Sequence, residues 1–452
     1  MPCRALRPAP DRTVPPVTAH TAPAVPRGDI LGKEGRALAL DIFHDVRALS
    51  PDVVGVSRPA WSPVETQVLD YLGSVARRHG LRTHYDAAGG LVLSRAGDTD
   101  PHARHGLLGS HVDSVPQGGN YDGLAGTVAA MLALLSLDRD GAATSLPLRV
   151  IAVRGEESAV YGHAYTGSLA MFGRLGPQGL AARSALDGGT LADAMASCGI
   201  DVARVAQGAP LADAARIAFF LELHIEQGPL LLDRGWPVAA VTGIRGNVRH
   251  REMRCIGEAG HSGAVPRWLR RDAVMATADL LMRMDDHWSE IEQQGGDLVL
   301  TTGILHTESA HNAISRIPGE TTFGFEARSQ HAATISAVEA LLHSECANVS
   351  RDRGVRFIFD APVYSPEAML DPAVTAALVA ACAAEGLPSE TVPSGAGHDA
   401  AVFQLAGVPS GMLFVRNANG SHNPEEDMDV DDMLKGARVL RRAAEGLAGS
   451  TP

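Results

Sequence analysis

The sequence predicts an α/β protein whose main domain is discontinuous, interrupted by a smaller inserted α+β domain. Three observations carry that expectation. Apolar runs at 106–109, 146–153 and 217–228 each finish in or beside a polar cluster, which is how strands of an open sheet present side chains at their carboxyl ends. Segments flanking these runs keep apolar residues at helical spacing. Near Gly243 the texture changes to a strand, helix, strand, strand, helix, strand order that lasts to about Phe359, after which the alternating pattern resumes. The expected divisions are a tail over 1–28, a main domain over 29–242 and 360–452, and an inserted domain over 243–359.

With 452 residues, 45% of them hydrophobic, the chain can build more than one core. A formal charge of −13 argues against nucleic acid or another polyanion as partner. Residues 1–28 are rich in Pro, Ala, Thr and Arg and hold no continuous apolar stretch. They resemble neither a secretory signal nor a membrane span, and read as a disordered or loosely docked tail. Cys3, Cys198, Cys255, Cys346 and Cys382 are odd in number and lack C-x-x-C spacing. That pattern opposes a disulfide framework or thiolate zinc site and fits a reducing cytoplasm.

In order along the chain, Leu38, Ile42, Phe43, Val46 and Leu49 fit one side of a helix that stops before Pro51. Ser62-Pro63-Val64-Glu65 offers a capping box with proline at the first helical position. Strand-like pieces at 81–85 and 91–94 flank an Asp-Ala-Ala-Gly-Gly turn. The strand at 106–109 leads into Ser110-His111-Val112-Asp113 and, after Gly118-Gly119, Asp122; Leu124, Val128, Met131, Leu132 and Leu135 then share one helical face. The strand at 146–153 ends in Arg154-Gly155-Glu156-Glu157. In the strand at 217–228, alternation puts Glu222, His224 and Glu226 on one face and Leu221, Leu223 and Ile225 on the other.

The inserted domain reads as strand 248–256, helix 272–291, strands 298–306 and 321–328, helix 333–349 and strand 355–359, a ferredoxin-like order. Beyond it come a helix at 371–385, a polar cluster at 394–399, a strand at 411–415, a second cluster at 420–427 and a last helix from about Val430.

Collected together, His111, Asp122, Glu157, His224 and His422 come from strand ends or the loops after them. Taken alone, the His111–Asp122 loop fits a bland polar strand end equally well, and Glu157 and His224 fit a solvated or satisfied residue better. As a set without sulfur they suit two divalent ions sharing a carboxylate: zinc first, with manganese, cobalt or nickel as alternatives. Water acidified there could attack a carbonyl near neutral pH. Glu156 would then act as general base, with Asp113 orienting His111.

The segments GSHVDSVPQGGNYDG, EES, ELHIEQGPLL, GEAGHSGAVPRWLRRDA, PSGAGHDA and SHNPEED strongly resemble the hydantoinase/carbamoylase family of binuclear-metal amidohydrolases. That resemblance covers nearly the whole chain beyond the tail. It implies hydrolysis of the C–N bond of an N-carbamoyl amino acid or another ureido acid such as allantoate. It implies that Asp122 bridges two ions, with His111 and His224 completing one site and Glu157 and His422 the other. It also implies a lid role and a homodimer interface for the inserted domain, and substrate contacts from Gln227, Arg328 and Gly397. His261 resembles a lid histidine that reaches across the dimer.

Two departures stand out. The family's Glu-Glu-Gly-x-Arg-Phe is here Glu156-Glu157-Ser158-Ala159-Val160-Tyr161, which removes a positive charge near the site. Ser315 stands where the family commonly has Asn, with Asn312 nearby but out of register. Arg245 is a candidate replacement for the lost charge, or else a solvated linker residue. Competing expectations are an N-acyl amino acid or dipeptide hydrolase, and a binding protein that has kept the fold and lost catalysis.

Overall fold

The computed structural model describes residues 29–307 and 313–449, so the expected tail lies outside the described residues. The strands that carry the polar clusters pair into one nine-stranded sheet. Numbered along the chain within this sheet they are β1 (Arg82–Tyr85), β2 (Leu91–Ser94), β3 (His105–His111), β4 (Leu148–Val153), β5 (Ile217–Ile225), β6 (Val238–Ile244), β7 (Ala368–Met369), β8 (Thr391–Ser394) and β9 (Ser410–Val415). Their order is β1-β2-β4-β3-β5-β9-β6-β7, with β8 also paired to β6. The central strands β4, β3, β5 and β9 run parallel. From β3 the chain moves to β4 on one side, then crosses back to place β5 on the other. The carboxyl ends of β3 and β5 therefore border the crevice in which open sheets bind ligands.

Alternation along β5 divides the two cores. Leu221, Leu223 and Ile225 pack with the helices Lys33–Leu49, Pro63–Arg78, Leu124–Arg139, Pro372–Ala384 and Val430–Gly449, while Phe220 packs on the other face with Phe403, Met412 and Phe414. Ser62 caps its helix as expected, accepting from the Glu65 amide at 3.2 Å. The helix Leu124–Arg139 corrects its one-faced reading: every residue from Leu124 to Leu137 is buried. It lies between the sheet and the last helix, where both faces meet apolar neighbours. The strand expected over 217–228 stops at Ile225, because the Glu226 carboxylate turns away to accept the Leu230 and Leu231 amides at 2.8 Å each.

After Ile244 the chain leaves the large sheet, and from Gly246 it builds a second sheet of six antiparallel strands with its own apolar core. The helices Ala273–Gln293 and Ala332–Arg353 pack on it. The single strand expected over 298–306 is two pieces, Val299–Thr301 and Leu305–Thr307. Both pieces pair with Glu320–Ser329, one with 321–323 and the other with 326–328, on either side of an irregularity in that strand between Phe323 and Phe325. Val363–Ser365 pairs with Gly246–Ile256, so this sheet extends past the boundary expected at Phe359. Among the described residues the four cysteines are free, and no helix is long and apolar enough to cross a membrane.

Candidate metal and catalytic site

His111 is the last residue of β3, and its ring packs against Gly123. A Cβ at Gly123 would lie 2.4 Å from the imidazole, and the residue has φ +65°, so glycine is required on both counts. The loop between His111 and Asp122 is held from beneath by Arg58, a fully buried guanidinium that donates to the Val112 carbonyl at 2.7 Å and to Asn120 Oδ1 at 3.0 Å. Glu426 positions the far end of that loop by accepting the Tyr121 and Asp122 amides at 2.9 and 3.2 Å.

These constraints deliver Asp122 between two groups of imidazole and carboxylate. Its Oδ1 lies 3.0 Å from His224 Nε2 and 3.6 Å from His111 Nε2, and the two ring nitrogens are 3.2 Å apart. Its Oδ2 lies 3.3 Å from His422 Nε2, which is itself 3.3 Å from Glu157 Oε1. Ser421 Oγ and Gln227 Nε2 also donate to Oδ2, at 2.6 and 2.9 Å. Two triads thus meet at one carboxylate: His111, Asp122 and His224, and Asp122, Glu157 and His422. Gln227 and His422 hold φ of +63° and +61°, a conformation that side chains other than glycine seldom adopt and that clusters at functional sites.

Burial pushes the Asp122 carboxyl upward, but the three imidazoles outweigh it and hold Asp122 well below the usual carboxylate range. The bonds from Asp122 and Glu157 draw His422 up to about 11. Burial opposes charge on His111 and His224, yet the surrounding carboxylates still raise both. The pocket therefore demands positive charge. Asp122 Oδ1 is buried without a hydrogen-bond donor, and the donors are imidazole nitrogens and carboxylate oxygens, a set that fits zinc and its first-row neighbours.

Glu156 Oε2 lies 4.0 Å from His111 Nε2. Burial, then the Glu157, Asp399 and Asp113 charges, raise its carboxyl well above the ordinary range despite His111. Asp113 does more than face His111, whose Nδ1 is 3.4 Å from Oδ1 and 3.1 Å from the Asp113 carbonyl. Its two oxygens accept the amides of Glu156 and Glu157 at 3.1 and 3.0 Å, tying the β3 loop to the β4 turn.

The expected substrate contacts divide. Gln227 is in the cluster, 3.3 Å from His422 Nε2, with its Oε1 buried and unpartnered. Gly397 lies against Tyr165, where a Cβ would be 1.6 Å from the phenol oxygen. Arg328, on the inserted sheet, reaches the main domain: Nη1 donates to the Gly395 carbonyl at 2.6 Å and Nε to Glu326 at 2.9 Å. His261 is exposed, accepts the Gly263 amide at 3.1 Å, and makes no hydrogen bond or ion pair with the cluster within this chain. Ser315 is exposed, and its carbonyl accepts the Ser262 amide at 2.8 Å. Asn312 lies outside the described residues.

No charge stands at position 160, as expected, and Arg245 is engaged by a carboxylate. Arg245 is no solvated linker residue, because it is fixed to Asp297 at 2.5 to 3.1 Å. Val160 is buried in an apolar cluster with Trp61, Tyr161 and Leu180, so its surroundings suit no arginine. A guanidinium does lie behind the site, from Arg154, paired with buried Glu65 at 2.9 Å. Arg58, Glu65, Tyr165 and Arg154 were not picked out as site residues, since each is a lone residue whose partners are distant in the chain. Glu426 stood within a recognised segment, and that was the available signal.

Comparison with known proteins places this geometry in context. The profile of peptidase family M20/M25/M40 matches residues 107–446. An N-carbamoyl-L-amino acid amidohydrolase from Geobacillus stearothermophilus is 34% identical over 87% of this chain and 94% of its own length. An allantoate amidohydrolase from Escherichia coli is 30% identical over 85% and 91%. The crystal structure of a hydantoinase/carbamoylase family amidase from Burkholderia multivorans aligns with TM-score 0.81 and 26% identity, covering 92% of this chain and 98% of that one.

Proposed function

The chain belongs to peptidase family M20/M25/M40, and from that premise we infer that it is a metal-dependent hydrolase of amides acting on a ureido acid. The bond cleaved joins the carbamoyl carbon to the amino nitrogen of an N-carbamoyl amino acid, giving the amino acid, ammonia and carbon dioxide. The observation that carries this reading is the meeting of five ligand-type side chains, four of them gathered around Asp122, with buried Glu156 beside them.

His111, His224 and Asp122 would hold one divalent ion, and Asp122, Glu157 and His422 a second. Zinc fits best, while manganese, cobalt and nickel share the donor preference. Bound there, the ions would polarise the ureido carbonyl and acidify water. Glu156 accepts the proton of the attacking water and returns it to the amino nitrogen as the C–N bond breaks. The buried Oε1 of Gln227 accepts from a ureido N–H, which satisfies an atom otherwise unpaired. Arg328 takes the substrate carboxylate, a task suited to its planar fork. The inserted domain, over roughly 246–365, serves as lid and as the interface of a homodimer, and brings His261 of one chain toward the site of the other.

The test is a panel of N-carbamoyl L- and D-amino acids, N-carbamoyl-β-alanine and allantoate, assayed for ammonia. Release is expected from at least one, lost on dialysis against a chelator and restored by zinc or manganese. Free amine from N-acyl amino acids or dipeptides without ammonia would move the assignment to acyl substrates. Silence across the panel by metal-loaded protein would overturn it.

A further inference from the structure

Glu65 looks from the sequence like half of a capping box, the residue that reaches back to its own helix start. Its carboxylate does something else. Oε2 accepts the Trp61 amide at 2.8 Å and Arg154 Nη1 at 2.9 Å, and Oε1 accepts the Gly155 amide at 3.1 Å. The residue is fully buried, and Arg154 almost so. A buried ion pair is seldom more stabilising than apolar side chains of the same volume, so helix capping does not account for it. Its location does, since both partners beyond the helix belong to the turn that carries Glu156.

Every backbone hydrogen-bonding group from the Gly155 amide to the Glu157 amide is held. Asp113 takes the amides of Glu156 and Glu157, the Tyr165 amide donates to the Glu156 carbonyl at 2.8 Å, and Thr166 donates twice to the Gly155 carbonyl, at 2.7 and 2.8 Å. Trp61 Nε1 donates to Thr166 Oγ1 at 2.8 Å, joining that side to the Glu65 side. The Gly155 amide is the remaining joint, and Glu65 alone holds it. Gly155 has φ +65° and no Cβ, so it is the residue in this turn most able to rotate.

We propose that Glu65 is a positioning residue for the reaction: by fixing the Gly155 peptide it aims the Glu156 carboxylate, while Arg154 and Trp61 hold Glu65 in place. This rests on the assignment of Glu156 as general base. A misplacement of about 1 Å at a reacting group can lower a rate roughly 100-fold, and rotation about Gly155 would displace Glu156 on that scale.

The test compares two double variants that both remove the buried charge pair. Glu65→Gln with Arg154→Met keeps a side-chain oxygen able to accept the Gly155 amide. Glu65→Met with Arg154→Met does not. Both should fold and load metal as the parent does, read by metal content, with the Met variant melting lower because the buried Trp61 and Gly155 amides lose their acceptor. The Gln variant should keep kcat within a few-fold, and the Met variant should lose roughly 100-fold in kcat with KM little changed. Equal kcat in the two, or parental kcat in the Met variant, overturns the proposal. Glu156→Gln in the same assay separates the underlying assignment: if it retains parental kcat, Glu156 is not the base. A crystal structure of the Met variant decides the positioning itself, with a displaced Glu156 carboxylate supporting it and an unmoved one overturning it, whatever the substrate.

Discussion

The two sheets handle charge in opposite ways. On the inserted sheet, acids and bases face one another across neighbouring strands, Arg249 with Glu326 and Arg254 with Glu320 at 2.6 Å, and these pairs remain partly exposed. At the carboxyl ends of the large sheet, Asp113, Asp122, Glu156, Glu157 and Glu222 are all buried, and Arg58 is the fully buried guanidinium beside them. Exposed pairs cancel locally and contribute little to stability. Buried carboxylates held together without matching cations are costly, and a fold that keeps them is organised around a positive guest. On the proposed reading, the difference puts the chemistry on the large sheet and leaves the inserted sheet to supply arms such as Arg328.

The most damaging blow to that contrast would come from Glu156. Glu156→Gln should lower kcat by roughly 10²- to 10⁴-fold, as expected for loss of a general base, with metal content unchanged by elemental analysis. Parental turnover in this variant would show that the buried acids are structural. Next comes the arm: Arg328→Ala should raise KM about 10- to 100-fold, the scale of a lost charge-assisted hydrogen bond pair, with a smaller effect on kcat. A change confined to kcat would place Arg328 in the chemistry instead of in binding.

A smaller effect concerns pH. Burial and the Glu222 charge push Asp399 up to about 7, whereas the unfolded chain gives up that proton near pH 4. Between about pH 4 and 7 the native state therefore binds a proton that the unfolded state lacks, and stability falls as pH rises through that window. In chelator, melting temperature measured against pH should fall less steeply for Asp399→Asn than for the parent; identical slopes would remove Asp399 from the account. The smallest effect is expected on the inserted sheet, where Glu320→Gln should leave activity and melting temperature unmoved. A large loss there would mean that its paired charges are not the bland partners described here.

What could be read from the sequence follows the same division. His111, Asp122, Glu157, His224 and His422 were legible because each stands at a strand end or in a loop beyond one, where periodicity stops and polar residues gather. The faces of β5 were legible because alternation has a period of two. The helix Leu124–Arg139 misled because burial on both sides erases the amphipathic stripe on which helical reading depends. Arg58, Glu65 and Arg154 were invisible as site residues for a different reason. The partners that tie them to the site are 54 to 90 residues away, from Arg58 with Val112 to Glu65 with Gly155, and no local pattern records such a meeting. Val160 is the lost charge that the sequence showed, and its apolar surroundings accommodate the loss.

Access to the two triads is unequal. His111 and His224 are 1% exposed, whereas His422 is 50% exposed at its side chain. Guests lodged on the two sides of Asp122 would exchange with the medium at different speeds, the outer one in quick equilibrium and the inner one trapped until the loops breathe. Dilution or long storage would thus strip the molecule in sequence. On the proposed occupancy by two ions, an ageing preparation should drift from two per chain toward one, with turnover falling in step.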